Sequence, residues 1–181
     1  MRIQSKIILL CLLAGLSIQL QAQKYSSEKS LVTFFSDAPL EDISAKNTKA
    51  IGIIDLKSNQ VAFSIPISAF EFEKTLMQEH FNEKYMESEK YPKSTFQGIM
   101  TGFDPKKNGS QNVSVKGKLV IHGVTNDVEL PGAIEIKDNK IKIASTFTIA
   151  LKDYKITIPQ LVWQNIAEQI EVNVDFTLIQ K

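Results

Sequence analysis

Apolar and polar residues alternate with period two along most of this chain, the spacing of strands that bury one face. The clearest case is Val113–Ile121, where Val113, Val115, Gly117, Leu119 and Ile121 share one parity and Ser114, Lys116 and Lys118 share the other. Ile141–Leu151 repeats the pattern, with Ile141, Ile143, Phe147, Ile149 and Leu151 opposite Lys142, Thr146, Thr148 and Lys152. In Ile170–Leu178, Val172, Val174, Phe176 and Leu178 stand opposite Asn173, Asp175 and Thr177. Weaker strand signals cover Ser30–Ser36, Lys49–Leu56, Gln60–Ile65, Thr95–Phe103 and Asp127–Ile136. Lys57-Ser58-Asn59 has hairpin-turn composition, and Asp138-Asn139 reads as a two-residue turn, because both residues tolerate positive φ. The pattern predicts an all-β chain of about eight antiparallel strands, which close into a barrel or stack as a sandwich.

One stretch departs from period two. In Lys74–Met86, Met77, Phe81 and Tyr85 recur at helical spacing, and Thr75 with Gln78 fits a capping box. Pro92 stops any long continuation. The prediction is one amphipathic helix between strands, its stripe packed over the barrel mouth.

The first 22 residues change the picture of the mature chain. Arg2 and Lys6 precede an apolar run, Ile7–Leu13, that extends with small interruptions to Leu20, and Ala22 offers a small residue for cleavage. This reads as a signal peptide over 1–22, followed by one domain over 23–181 and a periplasmic or secreted location. Cys11, the only cysteine, lies inside that leader, so the mature domain has no disulfide or thiolate ligand. Without Arg2 and Lys6, the 21 basic side chains fall to 19 against 20 acidic ones. A near-neutral domain has no electrostatic reason to seek nucleic acid or an anionic membrane surface. Stable membrane insertion is not expected, and the oligomeric state stays open, a homodimer included.

Candidate chemistry is sparse. Neither a Gly-x-Ser-x-Gly elbow nor a phosphate-binding loop occurs. His80 reads as a half-buried helix residue. His122, beside Gly123, reads as a turn residue, with polar contact to a ligand head group as its functional alternative. Glu79, Glu83 and Glu87 read as a solvated acidic face, and Trp163, after Pro159, as a core or rim residue. No metal or required cofactor is expected. The inward positions are the better candidates for a binding surface: Phe63, Phe96, Val113, Val115, Leu119, Ile121, Ile143, Phe147, Ile149, Val172, Val174 and Phe176, with Met77 and Phe81 from the helix. The same residues would also suit a dry, packed barrel.

Three blocks resemble the YceI-like family of lipid- or polyisoprenoid-binding proteins. They are His80–Gly98, with Phe81, Tyr91-Pro92 and Phe96; Val115–Leu130, with Gly-x-Leu-x-x-His-Gly-Val-Thr from Gly117 to Thr125; and Ala144–Ile156. Where many members carry Arg-Asp before the helix, this chain has Glu73-Lys74-Thr75, and its N-terminal strands read as short. The resemblance implies a lipocalin-like, eight-stranded antiparallel barrel, exported from the cytoplasm, holding an isoprenoid quinone, polyprenyl lipid or fatty acyl chain without catalysis. Such a site needs no polar motif. One isoprene unit contributes about 3–4 kcal/mol on burial, so three units exceed an association cost of at least about 4 kcal/mol. The alternatives are a secreted hydrolase on the same scaffold, an outer-membrane barrel, or a structural barrel without ligand.

Overall fold

The computed structural model describes residues 24–159 and 165–181. The leader, with Cys11, and Trp163 lie outside the described residues. The strands are β1 (Lys24–Ser36), β2 (Ile43–Asn47), β3 (Ile51–Asp55), β4 (Gln60–Pro66), β5 (Glu71–Phe72), β6 (Lys93–Thr101), β7 (Ser110–Ile121), β8 (Val124–Lys137), β9 (Lys140–Ala150) and β10 (Gln169–Gln180). Neighbours run β10-β9-β8-β7-β6-β4-β3-β1, and β10 pairs back onto β1. The result is a closed antiparallel barrel of eight strands, with β2 and β5 added beside β1 at one end.

β1 reaches both partners because its register against β10 shifts between Ser27 and Lys29. Its first residues pair with β3 and its last five with β2. It is therefore much longer than Ser30–Ser36, while β2 and β3 are short, with five residues each. β2 was invisible to the apolar pattern because its inward residues are Ala45 and Asn47. Asn47 is 1% exposed. It donates to Pro66 O at 2.7 Å and accepts the Lys49 N–H at 2.8 Å, which fixes the corner between β2 and β3.

Two turns follow from local chemistry. Asp138 and Asn139 both have positive φ, 51° and 58°, and join the last pair of β8 and β9, Lys137 and Lys140. His122 and Gly123, at 51° and 73°, make the same kind of two-residue turn between Ile121 and Val124.

The helix is shorter and less regular than its apolar spacing predicts. α1 spans Thr75–His80 and loosens into a π turn over Phe81–Tyr85. The Thr75–Gln78 capping box does not form. Lys74 occupies the cap position without a side-chain bond, and Gln78 Oε1 instead accepts the Phe72 N–H at 3.3 Å.

Every predicted inward strand face does point inward. At the end bearing the β3–β4 and β8–β9 hairpins, Ile54, Ile134, Ile141 and Leu178 pack to a solid floor, the last two 0% exposed. At the opposite end, Phe81 lies against Phe34, Phe70 and Phe72, with ring centroids 5.5, 5.6 and 5.0 Å away. The barrel thus has a filled floor and an aromatic roof.

Candidate functional site

Between floor and roof lies a cavity of about 210 Å³. Phe63, Phe96, Val113, Val115, Leu119, Ile121, Ile143, Phe147, Ile149, Val172, Val174 and Phe176 all line it. Sequence reasoning missed Val32, Phe34, Val61, Leu130 and Ile134, which also line it. Val61 shares the parity of Phe63 on β4, so extending that alternation by one turn of the pleat would have found it; Ile134 enters through its pairing with Ile143, which no single-strand alternation specifies. Among the described residues, the only hydroxyl side chains in the lining are Ser94 and Ser145, and Ser145 donates to Pro131 O at 2.6 Å. Phe63 and Phe176 meet at 4.9 Å across the interior. Gly52 makes room for them, since a Cβ there would stand 2.6 Å from the Phe63 ring.

Met77 and Phe81 do not line this chamber, contrary to expectation. They line a second one, about 400 Å³, between α1, the roof and residues 165–166. The reason is their position: a helix laid across the mouth turns its stripe toward the rim, while β-strand side chains fill the axis. Phe34, Met86, Leu151, Ile156 and Ile170 border both chambers and form the partition. The outer chamber carries the polar groups that the inner one lacks: Glu41, Lys74, His80 and Tyr85. Lys74 is ion-paired with Glu41, which raises its pKa. Burial pushes the Tyr85 phenol up, so it stays a neutral donor.

His122 lines neither chamber. Its Nε2 lies 2.8 Å from Glu87 Oε2 and its Nδ1 3.3 Å from Tyr154 O. The Tyr91 ring meets it edge-on at 4.6 Å and covers Gly123, where a Cβ would stand 2.4 Å from the ring. Two of the sequence blocks thus touch: Tyr91-Pro92 closes over His122-Gly123. Glu87 does not belong to a helical acidic face; the helix has ended, and at φ 42° Glu87 turns back to the hairpin. A neutral imidazole has one N–H and can donate to only one of these acceptors, whereas the doubly protonated ring donates to both. The clasp fixes the segment after the roof to the barrel. His122→Ala is expected to lower stability by about 1–2 kcal/mol in urea titrations, and His122→Gln, which keeps one donor, by less.

Among the described residues, no group of three or more His, Cys, Asp or Glu is placed to hold a metal ion. No described helix is long and apolar enough to cross a membrane.

Fold and cavity together define a class: small closed barrels with an apolar interior under a helical roof. A family model described as the YceI-like domain matches residues 24–178, and the chain belongs to that family. Among solved structures, a polyisoprenoid-binding domain from Saccharophagus degradans is similar at TM-score 0.74 and 15% identity, over 87% of this chain and 98% of that one. BcnA of Burkholderia cenocepacia is similar at TM-score 0.69 and 15% identity, over 82% and 95%. The YceI protein of Campylobacter jejuni is similar at TM-score 0.57 and 21% identity, over 74% and 81%. These likenesses establish the shared fold. No curated protein matches the sequence.

Proposed function

We propose that the protein is an exported binding protein that holds a single apolar chain, an isoprenoid quinone, polyprenyl lipid or fatty acyl compound, for transport, storage or stress protection. The observation that carries this reading is the inner chamber, whose lining among the described residues is apolar except for Ser94 and Ser145. The fold shared with a domain described as polyisoprenoid-binding supports the same ligand class.

Size sets how the ligand lies. A cavity of about 150 Å³ accommodates benzene, so 210 Å³ takes about eight carbons. Their burial is worth about 6 kcal/mol, and association costs at least about 4. The remainder, about 2 kcal/mol, is weaker than millimolar binding. A chain of three isoprene units, worth about 10 kcal/mol gross and about 6 after the association cost, reaches an affinity of tens of micromolar only by continuing past Met86 and Leu151 into the outer chamber. In this reading the tail sits against Phe63 and Phe176. The head group lies near Lys74, Glu41 and Tyr85, which replace the basic contact expected from the family pattern.

The outer face of β7 and β8 carries the pairs Lys116–Glu129 and Lys118–Asp127. That polarity, apolar inside and charged outside, supports a barrel surrounded by water and is the inverse of a membrane-spanning one. His122 engages Glu87 and a backbone carbonyl, which favours binding over hydrolysis. The leader at 1–22 supports export. Native mass spectrometry with solvent extraction of protein purified from its own cell envelope should find a polyprenyl or quinone compound bound. Repeated absence, together with no binding of added polyprenyl compounds, would reject the reading.

A further inference from the structure

The barrel wall is not zipped evenly. β7 and β8 pair from Ser110–Glu135 to Ile121–Val124, and β9 and β10 pair along all of β9. β8 and β9 pair only between Ala133–Ala144 and Lys137–Lys140. Above Ala133 and Ala144 the two strands run on for several residues with no ladder between them. Pro131 stands where they part. In a strand, a residue's N–H and C=O point to the same side, and Pro131 turns its C=O to β9, where Ser145 donates to it. Its missing N–H is therefore a missing β8–β9 rung, and proline marks β8 here as an edge.

The lining beside this seam is correspondingly open. Leu130, Phe147 and Ile149 are only half-buried, as are Val115 and Val174 on the neighbouring strands, while Leu119 and Val172 on those strands are buried. The seam has a definite upper end. Asn126 Nδ2 donates to Asp153 O at 2.9 Å, and His122 reaches Tyr154 O, so the 3₁₀ turn Leu151–Tyr154 bridges from β9 back to β8. What lies between is a slot about four residues, or about 13 Å, long. Its inner rim is apolar and its outer rim polar, with Glu129 and Thr148. Two facing strand edges left unpaired are a liability that folds usually remove. The floor is filled and the roof is pinned by the Phe81 cluster and the Glu87 clasp, so neither end is an easy path.

We infer that the seam between β8 and β9 is the portal through which the apolar chain enters the barrel sideways, sliding between Leu130 and Phe147. This rests on the proposed chain-binding reading. A portal acts on rates and leaves affinity alone, which separates it from the binding surface itself.

The test is a staple across the slot. Glu129 and Thr148 would face one another if the β8–β9 register continued upward, and both point outward. Glu129→Cys/Thr148→Cys, in a Cys11→Ser background, is compared oxidised and reduced in stopped-flow uptake of dansyl-farnesol from phosphatidylcholine vesicles. A bismaleimide cross-link of the same pair serves where the slot is too wide for a disulfide. Stapling should slow uptake and release together by at least tenfold, with equilibrium affinity unchanged within about twofold and with reduction restoring the rates. Equal rates in stapled and reduced protein overturn the portal while leaving the binding reading intact. Failure of the reduced protein to bind dansyl-farnesol at all overturns both.

Discussion

Val174→Asp is expected to abolish measurable chain binding while leaving a folded barrel. Val174 sits on β10 between Val32 and Ser145, half-buried and inside the inner chamber. A carboxylate cannot shed its water there without a partner, and among the described residues the chamber lining offers only two hydroxyls. The hydrated carboxylate displaces about one isoprene unit from the tail, worth about 4 kcal/mol, or roughly a thousandfold in affinity. Its half-exposed position beside the open part of the wall lets the charge keep water in the empty protein, so the fold survives. Titration with dansyl-farnesol beside a circular-dichroism melt separates the two effects. Val174→Ala should stay within a few-fold of the parent. A Val174→Asp protein that binds normally would remove the inner chamber as the site.

Gly117→Ala should be the most damaging methyl in the barrel. Gly117 lies directly across from Gly98 in the β6–β7 ladder. A Cβ on it would stand 2.2 Å from the Gln97 carbonyl oxygen and 2.7 Å from Gly98 Cα. Both are backbone atoms of a paired strand, so no side-chain rotation relieves the clash and the two strands must separate. The cost is about 3 kcal/mol, at the upper end for overpacking, which for a domain of this size lowers the melting temperature by about 10 °C. Gly109→Ala is the comparison in which backbone strain acts without a clash, since its φ is 82° and nothing stands within 4 Å of the added Cβ. Equal melting temperatures for Gly117→Ala and the parent would show that the strands are not held this closely.

The glycine at 117 shows how the sequence can be read correctly and still mislead. Its parity is inward, as the alternation says, but the inward space is occupied by the neighbouring strand's backbone, so it adds no lining. His122 is a second case. The run His-Gly-Val-Thr is a conspicuous marker, and the residue type invites chemistry. In the fold its ring is spent on Glu87 and Tyr154, residues 35 and 32 positions away in sequence. Glu87 could not be assigned to it beforehand because the helical spacing of Glu79, Glu83 and Glu87 holds only while the helix lasts, and the helix ends at the π turn. Met77 and Phe81 lie on the apolar stripe that the spacing predicts, yet they line the outer chamber and not the barrel axis, because a stripe specifies a face and not what that face meets.

The sequence by itself determined the presence of the eight barrel strands, the inward residues along β7, β9 and β10, the Asp138-Asn139 turn, and the family blocks. All of these are properties of a residue and its near neighbours: side-chain period two, the ability to adopt positive φ, and the order of short motifs. Tertiary structure alone decided the division into two chambers, the joining of Tyr91 and Glu87 to the His122 turn, and the place where β8 and β9 cease to pair. Those depend on how eight tilted strands close on one another, and closure sets inter-strand distances that no local pattern encodes. The wall at Val113–Pro131 could be recognised as strands from its alternation. That β8 runs from Val124 to Pro131 as an edge unpaired with β9, beside an apolar chamber, is a consequence of where the next strand departs.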